Sequence, residues 1–282
     1  MKITRCLKNY VLTQKVQMKP KIKSELKYEI DGKTCYLFDM DHPGWSSNLS
    51  LKDFFDRYLN EYNWRKFIKP GDTAIDIGAH NGDTTVPMQF LSGGTVLGIE
   101  PNPILKQYLD MAVELNKHLP GKIIVADEAV TTADVASVEI LDHNNALCNG
   151  GLIDPSWTAA LQAKMRASAG GSFCVPGMTL EHICAKYLTE EEISKIGFIK
   201  TDTEGHDKSI LESSANLIDR TRPIIFTEWF FAYTIDESRD LFRVIDELGY
   251  NAYYPATLER ASINVHSEDL VLIHRAKLKD YF

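Results

Sequence analysis

The spacing of apolar positions changes at Pro70-Gly71. Before that point, LKYEIDGKTCYLFD (Leu26 to Asp39) reads as a hairpin around Asp31-Gly32, because an Asp-Gly pair supports the positive φ of a two-residue turn. LSLKDFFDRYLNEYNWRKFI follows, with Leu51, Phe54, Phe55, Tyr58, Leu59 and Tyr62 at helical spacing. Beyond it, short apolar runs alternate with helical ones. TAIDIG, GTVLGIE, KIIVADEAV, ASVEIL, IGFIKTDTE and RPIIFTEWF predict strands. TTVPMQFLS, PILKQYLDMAVELNKHL, TLEHICAKYL, HDKSILESSANLI and SRDLFRVIDELGY predict helices between them. AYYPA and DLVLIHR close the chain with no long helix between them, which fits an antiparallel pair. The expected fold is therefore α/β, a mostly parallel sheet with helices on both faces. Residues 1–66 form an N-terminal extension of hairpin and helix, and residues 67–282 the main domain. A long irregular stretch from about 142 to 177 interrupts that domain like a lid. It carries Asn144, Asn145, Asn149, Gly150-Gly151 and Gly170-Gly171, with a small amphipathic helix near Trp157 to Arg166.

Bulk composition narrows the picture only modestly. The chain has 282 residues, 44% hydrophobic and 25% charged, with a net charge of -8. That balance is ordinary for a globular protein and argues against a nucleic-acid partner. Five scattered cysteines without a CxxC pair argue against a zinc ribbon or a disulfide scaffold, and suit reduced thiols in the cytoplasm. No apolar run reaches the length of about 18 residues that a membrane span needs. The lysine-rich start lacks the apolar core of a signal peptide and reads as a solvated extension.

Candidate chemistry begins at DTAIDIGAHNGDTT (Asp72 to Thr85). An apolar strand stops at Gly78, and a short polar turn leads into a helix. In a doubly wound sheet, ligands sit beyond the carboxyl ends of such strands. The turn reads D-x-G-x-x-x-G-D and lacks the third glycine of the dinucleotide fingerprint. Asp76 and Asp83 flank it, and an acid at the helix start repels a pyrophosphate. A ligand with an ammonium beside a carboxylate fits better, and S-adenosylmethionine has both. Gly78, His80, Asn81, Gly82 and Asp83 are thus cofactor-binding candidates with Asp76. Glu100 ends the second strand, where a carboxylate can accept both ribose hydroxyls. Asp127 and Glu128 end the third, in reach of an adenine amine.

IGFIKTDTEGHD (Ile196 to Asp207) is the second unusual stretch. Lys200, Asp202 and Glu204 alternate at strand spacing, so they are expected on one face. Charges in a central strand are costly unless paired or functional. Glu228, in FTEW, is expected at the same height on the next strand.

DIGAHNGDTT, GIEPNP, AVTTADVASVEI, MTLEHI, IKTDTEGHDKSILE and RPIIFTE stand in the order found in FkbM-type methyltransferases. The span from about Ile68 to Glu228 resembles that family, and the K-x-D-x-E-G block is its specific part. The resemblance implies a Rossmann-like class I methyltransferase fold with sheet order 3-2-1-4-5-7-6. It implies S-adenosylmethionine as cofactor and O-methylation of a sugar, a glycan or a polyketide-type product. By position it assigns Asp76, Gly78, Gly82 and Asp83 to the cofactor turn, Glu100 to the ribose, and Asp202 and Glu204 to the acidic fourth-strand motif. The family turn often reads G-A-N-x-G; here His80-Asn81 stands in its centre, so backbone contact is the expectation there.

A hydroxyl acceptor must lose a proton, so a base is needed. Asp202 and Glu204 are the first candidates, His206 the next, and His143 in the irregular stretch a further one. Asp202, Glu204 and Glu228 would also suit a divalent metal such as magnesium or calcium. Trp157 reads as a core residue of its small helix, with stacking on a sugar ring as the other reading. The rival functions are an NAD(P)-dependent oxidoreductase on the same fold and a non-catalytic S-adenosylmethionine-binding protein.

Overall fold

The computed structural model describes residues 22–40, 55–142, 150–155, 157–169 and 171–282. The readings made for the first 21 residues, and for Leu51, Phe54, His143, Asn144, Asn145, Asn149 and Gly170, lie outside the described residues. Strands β1 (Ile22–Ile30) and β2 (Lys33–Met40) form the antiparallel hairpin. Asp31 and Gly32 take φ of 49° and 73°, the mirror-image turn that suits strand twist. The helix expected next runs, over its described part, into a π-helical turn at Arg57–Glu61. Asn63, at φ 61°, breaks it from α1 (Trp64–Phe67).

The alternation after Pro70-Gly71 is β3 (Thr73–Ile77), α2 (Thr85–Ser92), β4 (Thr95–Ile99), α3 (Leu105–Leu115) and β5 (Lys122–Ala126). Next come β6 (Ala129–Val130), β7 (Val135–Asp142), β8 (Gly150–Leu152), α4 (Ala159–Ser168) and β9 (Gly171–Met178). The chain continues through α5 (Leu180–Tyr187), α6 (Glu190–Ser194), β10 (Ile196–Thr201), α7 (Asp207–Ser213) and α8 (Ala215–Thr221). It closes with β11 (Ile224–Glu228), α9 (Ile235–Glu247), β12 (Tyr250–Tyr253) and β13 (Asp269–His274). Seven strands make the main sheet in the order β12-β13-β11-β10-β3-β4-β5. Counted by their sequence order within the sheet, from the other edge, this is 3-2-1-4-5-7-6. β13 alone runs antiparallel to its neighbours.

Buried apolar residues cover both faces of this sheet. Ile75, Leu97, Ile199 and Ile225 face Leu180, Ile183 and Leu241 on one side. Ala74, Val96, Phe198 and Phe226 face Trp64 and Phe67 on the other. Each buried Val, Leu, Ile or Phe among them contributes about 1.5–3 kcal/mol by leaving water. The N-terminal hairpin is fused to the same body. Ile30, Cys35 and Leu37 pack with Phe55, Phe90 and Tyr108. The Asn116 side chain accepts from Tyr36 N at 2.9 Å and donates to Tyr36 O at 2.7 Å.

Three expectations are corrected. The stretch from 142 to 177 is not irregular over its described residues. It contributes to a second sheet of four strands, in the order β6-β9-β7-β8, with α4 between β8 and β9. Pro176 and Gly177 hid β9, because proline normally breaks a ladder. Here they sit where the β7–β9 register shifts between Val135 and Val138, so the irregularity absorbs the missing N–H. Lys200, Asp202 and Glu204 do not share a strand face, because β10 ends at Thr201 and Glu204 turns to φ 58°. Finally, the cysteines are not all reduced thiols. Cys35 and Cys184 are free and buried, whereas Cys174 is disulfide-bonded, a pairing that scattered spacing does not reveal. Among the described residues, no helix is long and apolar enough to cross a membrane.

Candidate functional site

The sheet order reverses between β3 and β10, and both strands end beneath one cavity. Its volume is about 280 Å³. Gly78, His80 and Asp83 line it from the turn after β3, Glu100 and Asn102 from the end of β4, and Asp202, Glu204 and His206 from the turn after β10. Ala129, Ile140, Leu152 and Phe173 of the second sheet form an apolar wall, and Tyr58 reaches in from the N-terminal segment.

The glycine turn divides into residues that face the cavity and residues that hold the turn. Asp76 is fully buried and accepts from the hydroxyls of Thr84 at 2.8 Å and Thr85 at 2.5 Å. Asn81 is buried, and its Oδ1 accepts from Asp83 N at 3.3 Å. A Cβ on Gly82 would meet Ala112 and Leu109 at 3.1 and 3.2 Å, so this glycine serves close packing on α3. Asp76, Asn81 and Gly82 therefore sit behind the cavity wall. His80 takes φ 51°, and its N–H donates to Glu100 Oε2 at 2.8 Å. Asn102 N–H donates to Glu100 Oε1 at 2.8 Å. Two backbone donors thus fix the Glu100 carboxylate at the strand tip.

Lys200 ties the two turns together. It is 3% exposed, and its Nζ donates to Gly78 O at 2.8 Å. Asp76 lies 3.3 Å and Asp202 3.6 Å from the same Nζ. Burial alone would lower the Lys200 pKa, but Asp76, Asp202 and Asp83 outweigh it and raise it. The neighbouring acids outnumber this cation. Burial pushes Asp83 up to about 7, with Asp76 and Asp202 adding repulsion. Burial likewise pushes Glu100 up to about 7, against the two N–H donors. Glu204 rises to about 8 through burial and the charges of Asp202 and Asp207. Glu228 is raised by burial and by Asp202, Asp207 and Glu204, and its Oε2 accepts from Gly205 N at 3.3 Å.

These shifts set a pH dependence. The folded protein keeps protons near pH 7 that free carboxyls release near 3.8 for Asp and 4.5 for Glu. Between about pH 5 and pH 8 the unfolded chain binds fewer protons, so stability falls as pH rises. The melting midpoint of the ligand-free protein is expected to be several degrees higher at about pH 5.5 than at about pH 8. Glu192, depressed to about 2 by Lys122 and the Thr189 N–H, works in the opposite sense, but only on acidification below its unfolded value. A flat midpoint in scanning calorimetry across that window would contradict the raised carboxylates.

The two candidates at the end of the third predicted strand also stay outside the cavity. Asp127 is exposed. Glu128 is buried and engaged by Lys186 and by the Tyr187 hydroxyl at 3.1 Å. Trp157 is 5% exposed, stacks on Phe230 with centroids 5.9 Å apart, and donates from Nε1 to Gly205 O at 3.0 Å, so it is a core residue. Among the described residues, no cluster of three or more ligating side chains is arranged to hold a metal ion, Asp202, Glu204 and Glu228 included. Sequence reading also missed residues. Tyr58 carried only a helical-spacing signal. Asp154, joined to His206, carried no signal beyond a turn.

A family model for the methyltransferase FkbM domain matches residues 76–252, from Asp76 in β3 to Ala252 in β12. The chain belongs to the FkbM methyltransferase domain family. Its sheet is the Rossmann-like one of class I methyltransferases, with Gly78, Glu100 and Asp202 at adjacent strand ends. Among solved structures, an FkbM methyltransferase from Methylobacillus flagellatus is 12% identical over 79% of this chain and 52% of that one, with a TM-score of 0.43. The chain thus spans about half the length of that relative. Fibrillarin from Aeropyrum pernix, solved with S-adenosyl-L-methionine, is 12% identical over 92% of this chain and 84% of that one, at a TM-score of 0.42. TYW2 from M. jannaschii, solved with AdoMet, is 14% identical over 92% and 86%, at 0.37. No curated protein matches the chain.

Proposed function

We propose that this protein is an S-adenosylmethionine-dependent methyltransferase acting on a hydroxyl of a sugar, a glycan or a polyketide-type natural product. The observation that carries the cofactor is the Glu100 carboxylate, clamped by two N–H groups and facing the same cavity as the Gly78 turn. Each of its oxygens keeps a lone pair, so Glu100 would hold the ribose hydroxyls. Leu105, Ala129, Val130 and Ile140 give an apolar wall suited to a flat heterocycle. Asp83 and Asp202 would take the ammonium. The acids outnumber Lys200, and a cationic ligand relieves that imbalance whereas a pyrophosphate worsens it. This favours S-adenosylmethionine over NAD(P).

When bound, the cofactor supplies a methyl group on positively charged sulfur. The chain's part is to orient the acceptor, exclude water and take a proton. Alignment of that kind is worth about 7–11 kcal/mol in favourable cases. Asp202 and Glu204 would hold the acceptor's hydroxyls at the turn after β10. Carboxylates at that turn also discourage a phosphate-rich acceptor, which supports a neutral polyol over a nucleic acid.

Titration calorimetry with S-adenosylmethionine, S-adenosylhomocysteine and NAD tests this. The first two are expected to bind, and Glu100→Gln to weaken them about 10- to 100-fold, the worth of a hydrogen bond to a charged group. Binding of NAD alone would overturn the reading in favour of an oxidoreductase. Binding without any transfer from radiolabelled cofactor to a glycoside and polyol panel would favour a non-catalytic binder.

A further inference from the structure

His206 stands just before α7 and is 4% exposed. Its Nδ1 lies 2.8 Å from Asp154 Oδ2, and Asp154 is 1% exposed. The other ring nitrogen, Nε2, is buried and has no hydrogen-bond partner among the described residues. The residue lines the cavity. Leaving a buried polar atom unpaired is unfavourable, and such atoms call for a ligand or a catalytic role. An ionised Asp154 accepts a hydrogen bond from Nδ1–H, which leaves Nε2 as a lone-pair acceptor.

The surroundings restrain both partners. Asp154 O accepts from Trp157 N at 3.1 Å. Trp157 Nε1 and the Tyr233 hydroxyl both donate to Gly205 O, at 3.0 and 2.7 Å. A Cβ on Gly205 would meet Phe230 at 2.5 Å and Trp157 at 2.8 Å, so the turn that carries His206 is enclosed. Asp154 therefore sets the imidazole, and Trp157 the turn that carries it.

We propose that His206 is the general base of the transfer and that Asp154 is its positioning residue, fixing the Nδ1–H tautomer. The proposal rests on the methyltransferase reading above. The acceptor's oxygen forms a bond to the methyl carbon, and the electron pair of the breaking carbon–sulfur bond goes to sulfur, leaving a neutral thioether. The hydroxyl proton passes to Nε2, and Asp154 stabilises the imidazolium. With His206 taking the proton, Asp202 and Glu204, which line the same cavity, are left to bind the acceptor.

The test is two-bond nitrogen–proton correlation spectroscopy on full-length protein labelled with ¹⁵N-histidine, with S-adenosylhomocysteine present. Absence of a signal in His206→Gln assigns the ring. The wild type is expected to show a neutral Nδ1–H tautomer, and Asp154→Asn to shift it toward Nε2–H. An Nε2–H tautomer in the wild type would overturn the proposal, with no acceptor needed. S-adenosylhomocysteine should bind both variants within about 3-fold of wild type, because neither residue holds the cofactor. If the wild type itself does not bind it, the methyltransferase reading fails and the dyad geometry stands as measured by the spectrum. On a glycoside that accepts methyl, Asp154→Asn should lower kcat by about 10²- to 10⁴-fold with KM little changed, and Asp154→Glu should recover part of it. A rise in KM at constant kcat would overturn the positioning role.

Discussion

Replacing Gly78 by alanine is expected to abolish cofactor binding and to destabilise the fold by more than about 3 kcal/mol. Two causes combine. Gly78 holds φ 77°, where an L side chain is strained. Its added Cβ would also lie 2.0 Å from Asp202 O, a backbone atom of the neighbouring strand's turn. Backbone cannot swing away as a flexible side chain can, so the tips of β3 and β10 must part. Parting them breaks the Asp202 N–H bond to Ile77 O, which is 3.1 Å in the intact protein. Gly82→Ala is the informative comparison. Its φ is 92°, but its nearest neighbours are side chains of α3 at 3.1 and 3.2 Å. It should cost about 1–2 kcal/mol and leave measurable binding. Urea unfolding and calorimetry on the two variants read this out, and equal losses would contradict the account.

Lys200→Met carries the second large effect. The ammonium is the cation that Asp76, Asp202 and Asp83 share, and it is almost fully enclosed. Breaking a buried pair on one side leaves uncompensated charge and typically costs about 3–5 kcal/mol. For a chain of this size that is a drop of roughly 6–15 °C in melting midpoint. The loss should be greater at about pH 8 than at about pH 5.5, because the abandoned carboxylates can take up protons in acid. Asp76→Asn in the same chain should recover part of it by removing one orphaned charge. A loss below about 1 kcal/mol in denaturant melts would mean that water already screens this cluster.

The sheet and the glycine turn were legible because their physics is local. TAIDI and TVLGI are apolar runs between turn residues, and a strand buried on both faces needs nothing else. The hairpin announced itself through Asp31-Gly32 for the same reason. The second sheet was hidden because its middle strand contains Pro176, tolerated only through a register shift in a partner 35 or more residues earlier. At the site, Glu100 and Asp202 stand where strand ends put them. Asp154 could not be read at all. Its importance arises from a contact across 52 residues, made when the segment before α4 folds onto the turn after β10. Asp127 and Glu128 failed in the opposite way. Their position in the chain was right for a base contact, but Lys186 and Tyr187 of α5 draw Glu128 aside.

Thr234 and Glu237 cap the start of α9 reciprocally, and Glu237 Oε1 also accepts from Thr158 N at 3.1 Å, the residue that caps α4. One carboxylate thus terminates two helices at once. Loss of this carboxylate would leave both Thr158 N and Thr234 N without their acceptor, so a change on the flank of the main sheet would reach the stretch of chain that carries Asp154.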